Sequence, residues 1–187
     1  MKVEDSTLAV VRALERMGVR YYVCGSLASS LHGEPRATND ADLVAELFPN
    51  QGERLQRELG TRFFVDPEEF ENAVKNERSF NLIDEIELAK VDVFCVRDTG
   101  YQASALSRVI RLNLERDDPF SQVAVASAED TIVSKLRWYR LGGEVSDRQW
   151  RDVRGVLLAQ RERLDVPYLR RWSEHFGVTD LLDRLLA

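Results

Sequence analysis

One discontinuity constrains the fold of this chain more than any other feature. Up to about residue 125, short β-prone runs alternate with helical segments; from Ser127 onward the pattern is helical only. A sheet and a helix each have one apolar face to bury. Such a chain therefore builds an α/β or α+β body from its first ~125 residues and adds a bundle of about four helices. The expected division is a core over residues 1–125 and a helical region over 126–187.

The segments follow from periodicity and punctuation. Leu8, Val11, Leu14 and Met17 recur at helical spacing and Gly18 follows as a stop. Residues 21–24 read as a strand, 26–32 as a short helix and 34–39 as a loop around Pro35. Residues 40–47 alternate and read as a strand. A helix is expected over 51–59, a short strand over 63–65 and a helix over 67–74. Strands follow over 79–83, 87–96, 109–114 and 123–125, with a short helix near Ala103. Ser127 and Ser146 each open a helix (128–140 and 147–160), Ser146 heading the better capping box. Asp165 caps a third helix carrying Pro167 in its first turn, and Thr179 is expected to cap the last.

At 187 residues the chain is long enough to bury a full core without disulfides. An apolar content of 44% excludes wholesale disorder. The net charge of −6 argues against general DNA or RNA coating. The acidic excess lies in residues 1–96, which hold 11 basic and 18 acidic side chains, and arginine outnumbers lysine 22 to 4. The N-terminus lacks the apolar run of a secretory signal and nothing approaches the ~20 apolar residues of a membrane span. Cys24 and Cys95 sit in strand-like runs and read as buried, reduced thiols. A cytoplasmic protein without a membrane partner is expected.

The chemistry concentrates in three places. Asp40 and Asp42 flank one residue of a strand, so both carboxylates point to one face. Their Cα atoms lie roughly 6–7 Å apart, close enough to converge on a metal. Surface carboxylates read the same way, since such a pair is expected about once by chance among 15 aspartates. Gly25-Ser26 ends a strand where a helix begins, which suits a phosphate or an ordinary turn. Asp92 interrupts an apolar run; an arginine partner or a shared cation would explain it. With Asp40 and Asp42 it makes a hard oxygen set suited to Mg²⁺ or Mn²⁺.

Residues 22–33, followed by Pro35-Arg36-Ala37-Thr38-Asn39-Asp40-Ala41-Asp42-Leu43-Val44, resemble the DNA-polymerase-β-like nucleotidyltransferase superfamily. That superfamily pairs a Gly-Ser or Gly-Gly turn with two acidic residues spaced by one; here 13 residues separate Ser26 from Asp40. The wording of residues 31–40 is most similar to the AbiEii-type branch, which includes nucleotidyltransferase toxins. The resemblance implies a nucleotidyltransferase fold with a mixed sheet flanked by helices. It implies Asp40, Asp42 and Asp92 as holders of two Mg²⁺ or Mn²⁺ ions, and Gly25 and Ser26 as phosphate-binding. Lys135 would offset leaving-group charge, with Asp147 and Asp152 at the following helix start. Arg36 and Thr38 are further candidates, facing the substrate or bracing the loop.

Lys135 borders the apolar face of its helix, and either reaches inward or snorkels. Asp147 suits the helix dipole and Asp152 suits a pair with Arg148. The activity implied is transfer of a nucleoside monophosphate from an NTP to a hydroxyl acceptor: tRNA, a protein or a small molecule. A toxin role would bring a cognate antitoxin. A catalytically silent binding or regulatory protein, a metal-dependent phosphoesterase and a helical-tail adaptor are the competing readings.

Overall fold

The computed structural model describes residues 3–115 and 117–187. Helix α1 (Val3–Met17) leads into strand β1 (Tyr21–Cys24) and helix α2 (Gly25–His32). Strand β2 (Asp40–Ala45), helices α3 (Gly52–Leu59) and α4 (Pro67–Asn76), and strands β3 (Ser79–Ile83) and β4 (Lys90–Cys95) follow. Helix α5 (Gly100–Ser107) precedes strands β5 (Ile110–Asn113) and β6 (Gln122–Val125). Helices α6 (Ala128–Leu141), α7 (Asp147–Gln160), α8 (Val166–His175) and α9 (Thr179–Leu186) complete the chain.

The strands form one mixed sheet in the order β3-β4-β2-β1-β6-β5. β2 runs parallel to β4 and β1 parallel to β6; the other neighbours are antiparallel. The two-residue side-chain period gives the sheet two unlike faces. Val23, Ala41, Leu43, Ala45, Val91 and Val93 join one core with Val10, Leu14, Leu55, Phe70 and Phe80 of the covering helices and β3. Phe70 and Phe80 meet edge to face with centroids 5.3 Å apart. Each such fully buried side chain contributes about 1.5–3 kcal/mol. Tyr22, Cys24, Val44 and Phe94 lie on the other face, packed with Ala105, Leu106 and Ala126. A third cluster, including Ile132, Leu136, Val153, Val156, Leu169, Trp172 and Leu181, holds α6 to α9 together.

The helical part meets the core where α7 crosses α2. A Cβ on Gly33 would lie 2.7 Å from the backbone of Gly155 and of Val156, so the two backbones approach with no side chain between them. His32, buried beside this contact, has Nε2 2.7 Å from the Ala126 carbonyl. Burial lowers its pKa, partly offset by that carbonyl and by Glu129.

Several local expectations need correction. Residues 63–65 form no strand: Phe63 makes only an isolated bridge to Asp84. The strand expected over 87–96 begins at Lys90, because residues 84–89 turn around Asp84. That buried carboxylate takes hydrogen bonds from Ser6 (2.6 Å), Arg62 and the N–H groups of Ile86 and Glu87. Burial opposes its charge, but these donors bring its pKa down to about 2. The capping strengths are reversed. Ser127 accepts the Asp130 N–H at 3.0 Å, whereas Ser146 accepts that of Gln149 at 3.4 Å. Thr179 caps nothing; it is the first residue of α9, and the flanking Val178 supplies no side-chain bond.

Candidate active site

The candidate site lies on the second face of the sheet. Asn81, Asp92, Asp42 and Cys24 stand in register across β3, β4, β2 and β1. The row beside it pairs Asp40 with Lys90. Asp42 and Asp92 therefore share a face on adjacent strands, roughly 4.8 Å apart in backbone spacing. Burial raises the Asp42 pKa and the Asp92 charge raises it further; Lys135 pulls it down. One oxygen of Asp92, Oδ2, lies 2.9 Å from the Lys90 ammonium, while Oδ1 is buried without a hydrogen-bond partner. A buried carboxylate oxygen without a donor is costly and suits a cation ligand.

Asp40 is exposed at the start of β2. Among the described residues, no three His, Cys, Asp or Glu side chains are gathered around one point as metal ligands. The donor chemistry of Asp42 and Asp92 fits a hard divalent cation, and the exposed Asp40 carboxylate would have to turn toward them to complete the set.

Gly25 shapes the other side of Asp42. Its φ is +60°, and a Cβ there would lie 1.9 Å from Asp42 Oδ2. The Asp42 carboxylate thus occupies the space that a side chain at position 25 would fill. Helix α2 starts here with no side-chain cap from Cys24, which leaves its first-turn N–H groups without a side-chain acceptor. Ser26 accepts a bond from Arg36 Nη2 at 2.5 Å. Thr38 donates to the Asp40 carbonyl at 3.1 Å, bracing the loop.

Lys135 is buried at 8% exposure, so it does not snorkel. Its ammonium lies 2.8 Å from Asp152 Oδ2. Arg36 Nε lies 2.9 Å from Asp152 Oδ1, and its Nη2 3.0 Å from Oδ2. Asp152 therefore pairs with Lys135 and Arg36, not with Arg148, because the α2–α7 contact turns it into the site. Burial opposes its charge, but Arg36 and Lys135 hold its carboxyl below the usual range. A chain of contacts, Ser26–Arg36–Asp152–Lys135, thus links loop, core and helical region. Asp147 is exposed at the first position of α7 and stays outside this set.

Gly25, Ser26, Arg36, Asp42, Lys135 and Asp152 line a cavity of about 480 Å³, while Asp40, Asp92 and Thr38 stand outside its lining. Its other walls escaped the sequence reading. Tyr22 donates to Gln102 at 2.9 Å, and buried Asp130 accepts from Tyr168 at 2.7 Å and from Ser127 at 2.7 Å. Thr131 Oγ1 lies in this wall, buried and unpartnered. Only the one-turn spacing of Thr131 and Lys135 on one helix hinted that they share a face.

No protein-family model matches the chain and no curated protein matches it in sequence. Solved structures do match. An antigenic nucleotidyltransferase-like protein from Paracoccidioides brasiliensis superposes with a TM-score of 0.56 at 18% identity, over 99% of this chain and 92% of that one. The antibiotic-resistance factor ANT(2″)-Ia gives 0.55 at 13% identity, over 95% and 93%. ANT(2″)-Ia in complex with adenylyl-2″-tobramycin gives 0.52 at 14% identity, over 93% and 96%. The fold is that of the nucleotidyltransferase-like proteins.

Proposed function

We propose that this chain is a metal-dependent nucleotidyltransferase that moves a nucleoside monophosphate from an NTP to a hydroxyl acceptor. One observation carries the reading. The in-register pair Asp42 and Asp92, with Asp92 Oδ1 buried and unpartnered, faces the same side of the sheet as an uncapped helix start. Residues 1–125 serve as the catalytic core and 126–187 as the helical region that supplies Lys135 and Asp152.

In this reading Asp40, Asp42 and Asp92 hold the divalent cations, two Mg²⁺ or Mn²⁺ by the resemblance. When bound, such ions activate the attacking hydroxyl and neutralise triphosphate charge. The α2 N–H groups, Gly25 and Ser26 take the phosphates. Arg36 steadies the Ser26 hydroxyl. Lys135 offsets charge that develops on the leaving pyrophosphate, and its contact with Asp152 aims it. Thr38 holds the loop that delivers Asp40. Asp147 serves the helix start and has no direct part.

Arg148 lines the cavity, and Arg151 and Arg154 continue from it as an exposed row along α7. That row supports a polyanionic acceptor such as a tRNA end. The AbiEii-type wording of residues 31–40 supports a toxin-like variant of the activity with a cognate antitoxin.

The test is incubation of the full chain with each of four labelled NTPs, Mg²⁺ and total cell extract. Label is expected on one acceptor class, with the label abolished and the fold retained in Asp42→Asn. An unchanged rate in that variant overturns the assignment. Phosphate release from simple esters without NTP consumption overturns it in favour of a phosphoesterase.

A further inference from the structure

Lys90 stands among the carboxylates, and no step above uses it. It pairs in register with Asp40 on β2 and precedes Asp92 by two residues on β4, so it shares their face of the sheet. Its ammonium lies 2.9 Å from Asp92 Oδ2. The lysine side chain is 44% exposed and that of Asp92 17%. The ammonium thus sits at the rim, where a flexible four-carbon stem can carry it back to water at little cost. The two oxygens of Asp92 are unequally served: Oδ2 has this cation, and Oδ1 has nothing.

We propose that Lys90 is a built-in counter-cation of the carboxylate row. It neutralises Asp92 while no divalent ion is bound, and it yields Oδ2 when the ion arrives. The inference rests on the metal-dependent reading above. Two consequences follow from elementary electrostatics. An ammonium on the same carboxylate repels an incoming divalent ion and competes with it for an oxygen, so both effects weaken metal binding. Without Lys90, the Asp92 and Asp42 carboxylates would repel each other with less compensation, and the metal-free protein would lose a small part of its stability. Lys90 is thus a positioning residue that trades cation affinity for an intact metal-free site.

The experiment compares the full-length wild type with Lys90→Met and Lys90→Arg. Mn²⁺ affinity is read by electron paramagnetic resonance of the free ion. Thermal unfolding is followed in EDTA and in saturating Mn²⁺, and circular dichroism checks the fold. Lys90→Met should bind Mn²⁺ about tenfold more tightly, unfold at lower temperature in EDTA, and recover in Mn²⁺. Lys90→Arg keeps the charge and should stay within about twofold of the wild type. Wild-type binding with unchanged or weaker affinity in a folded Lys90→Met variant overturns this inference alone. Absence of Mn²⁺ binding in the wild type and both variants overturns it together with the metal-dependent reading.

Discussion

Replacing Gly25 by alanine should separate the two demands placed on that position. Gly25 and Gly18 both have left-handed backbone, with φ of +60° and +73°. A Cβ at Gly18 would meet nothing within 4 Å, whereas one at Gly25 would lie 1.9 Å from Asp42 Oδ2, 2.7 Å from its Cγ and 2.9 Å from its Cβ. Gly18→Ala therefore carries backbone strain only, about 1–2 kcal/mol. Gly25→Ala carries the same strain, must push the Asp42 carboxylate off its rotamer at a further cost of roughly 0.5–1.5 kcal/mol, and must also move the β2 backbone, because the new methyl would lie 2.9 Å from Asp42 Cβ. The displaced carboxylate can no longer stand opposite Asp92, so divalent-cation binding should fall as well. Urea unfolding and Mn²⁺ titration of the two variants make the comparison. Gly25→Ala should be the less stable and should alone lose Mn²⁺ affinity. Equal stabilities, with Mn²⁺ binding intact in Gly25→Ala, would refute the claim that Gly25 makes room for Asp42.

Two further outcomes follow from the site's surroundings. Asp152→Ala leaves the buried Lys135 ammonium without its counter-charge, and a loss of about 3–5 kcal/mol is expected by urea denaturation; a change below about 1 kcal/mol would mean the pair is not buried as described. His32 has a folded-state pKa below its ordinary 6.5. The unfolded chain thus takes up the proton first, and this part of the stability is lost as pH falls below about 6.5. His32→Gln keeps a donor for the Ala126 carbonyl and should flatten that loss; identical urea midpoints against pH in the two proteins would contradict it.

What the sequence made legible was local. The one-residue spacing of Asp40 and Asp42 placed both on one face, because strand geometry leaves no choice. The aspartate inside the apolar run 90–96 marked Asp92, because an unexplained charge there demands a partner. The nucleotidyltransferase-like fold was legible through residues 22–44. What stayed hidden was long-range. Asp152 seemed to belong with Arg148 one turn away, yet its partners are Arg36 and Lys135, 116 and 17 residues distant. No periodicity encodes that contact; it appears only once α7 lies against α2. Lys135 was ambiguous for the same reason, since a lysine bordering an apolar helix face goes inward only if a carboxylate waits there. Asp84 escaped notice because its donors come from α1, a turn and a distant arginine. Thr179 failed as a cap because a hydroxyl next to a helix start looks alike one position too late.

The contact between Gly33 and Gly155 has a mechanical meaning. Where two helices meet through interlocking side chains, rotamer changes can absorb small slips. Here backbone rests on backbone, and a Cβ on Gly33 would lie 2.7 Å from atoms of α7. The junction behaves as a hard stop: the spacing between the turn that bears Ser26 and the helix that bears Asp152 is fixed by main-chain atoms. A methyl group added at position 33 would act as a shim between the two main chains, opening the clamp between Arg36 and Asp152 without touching either of them.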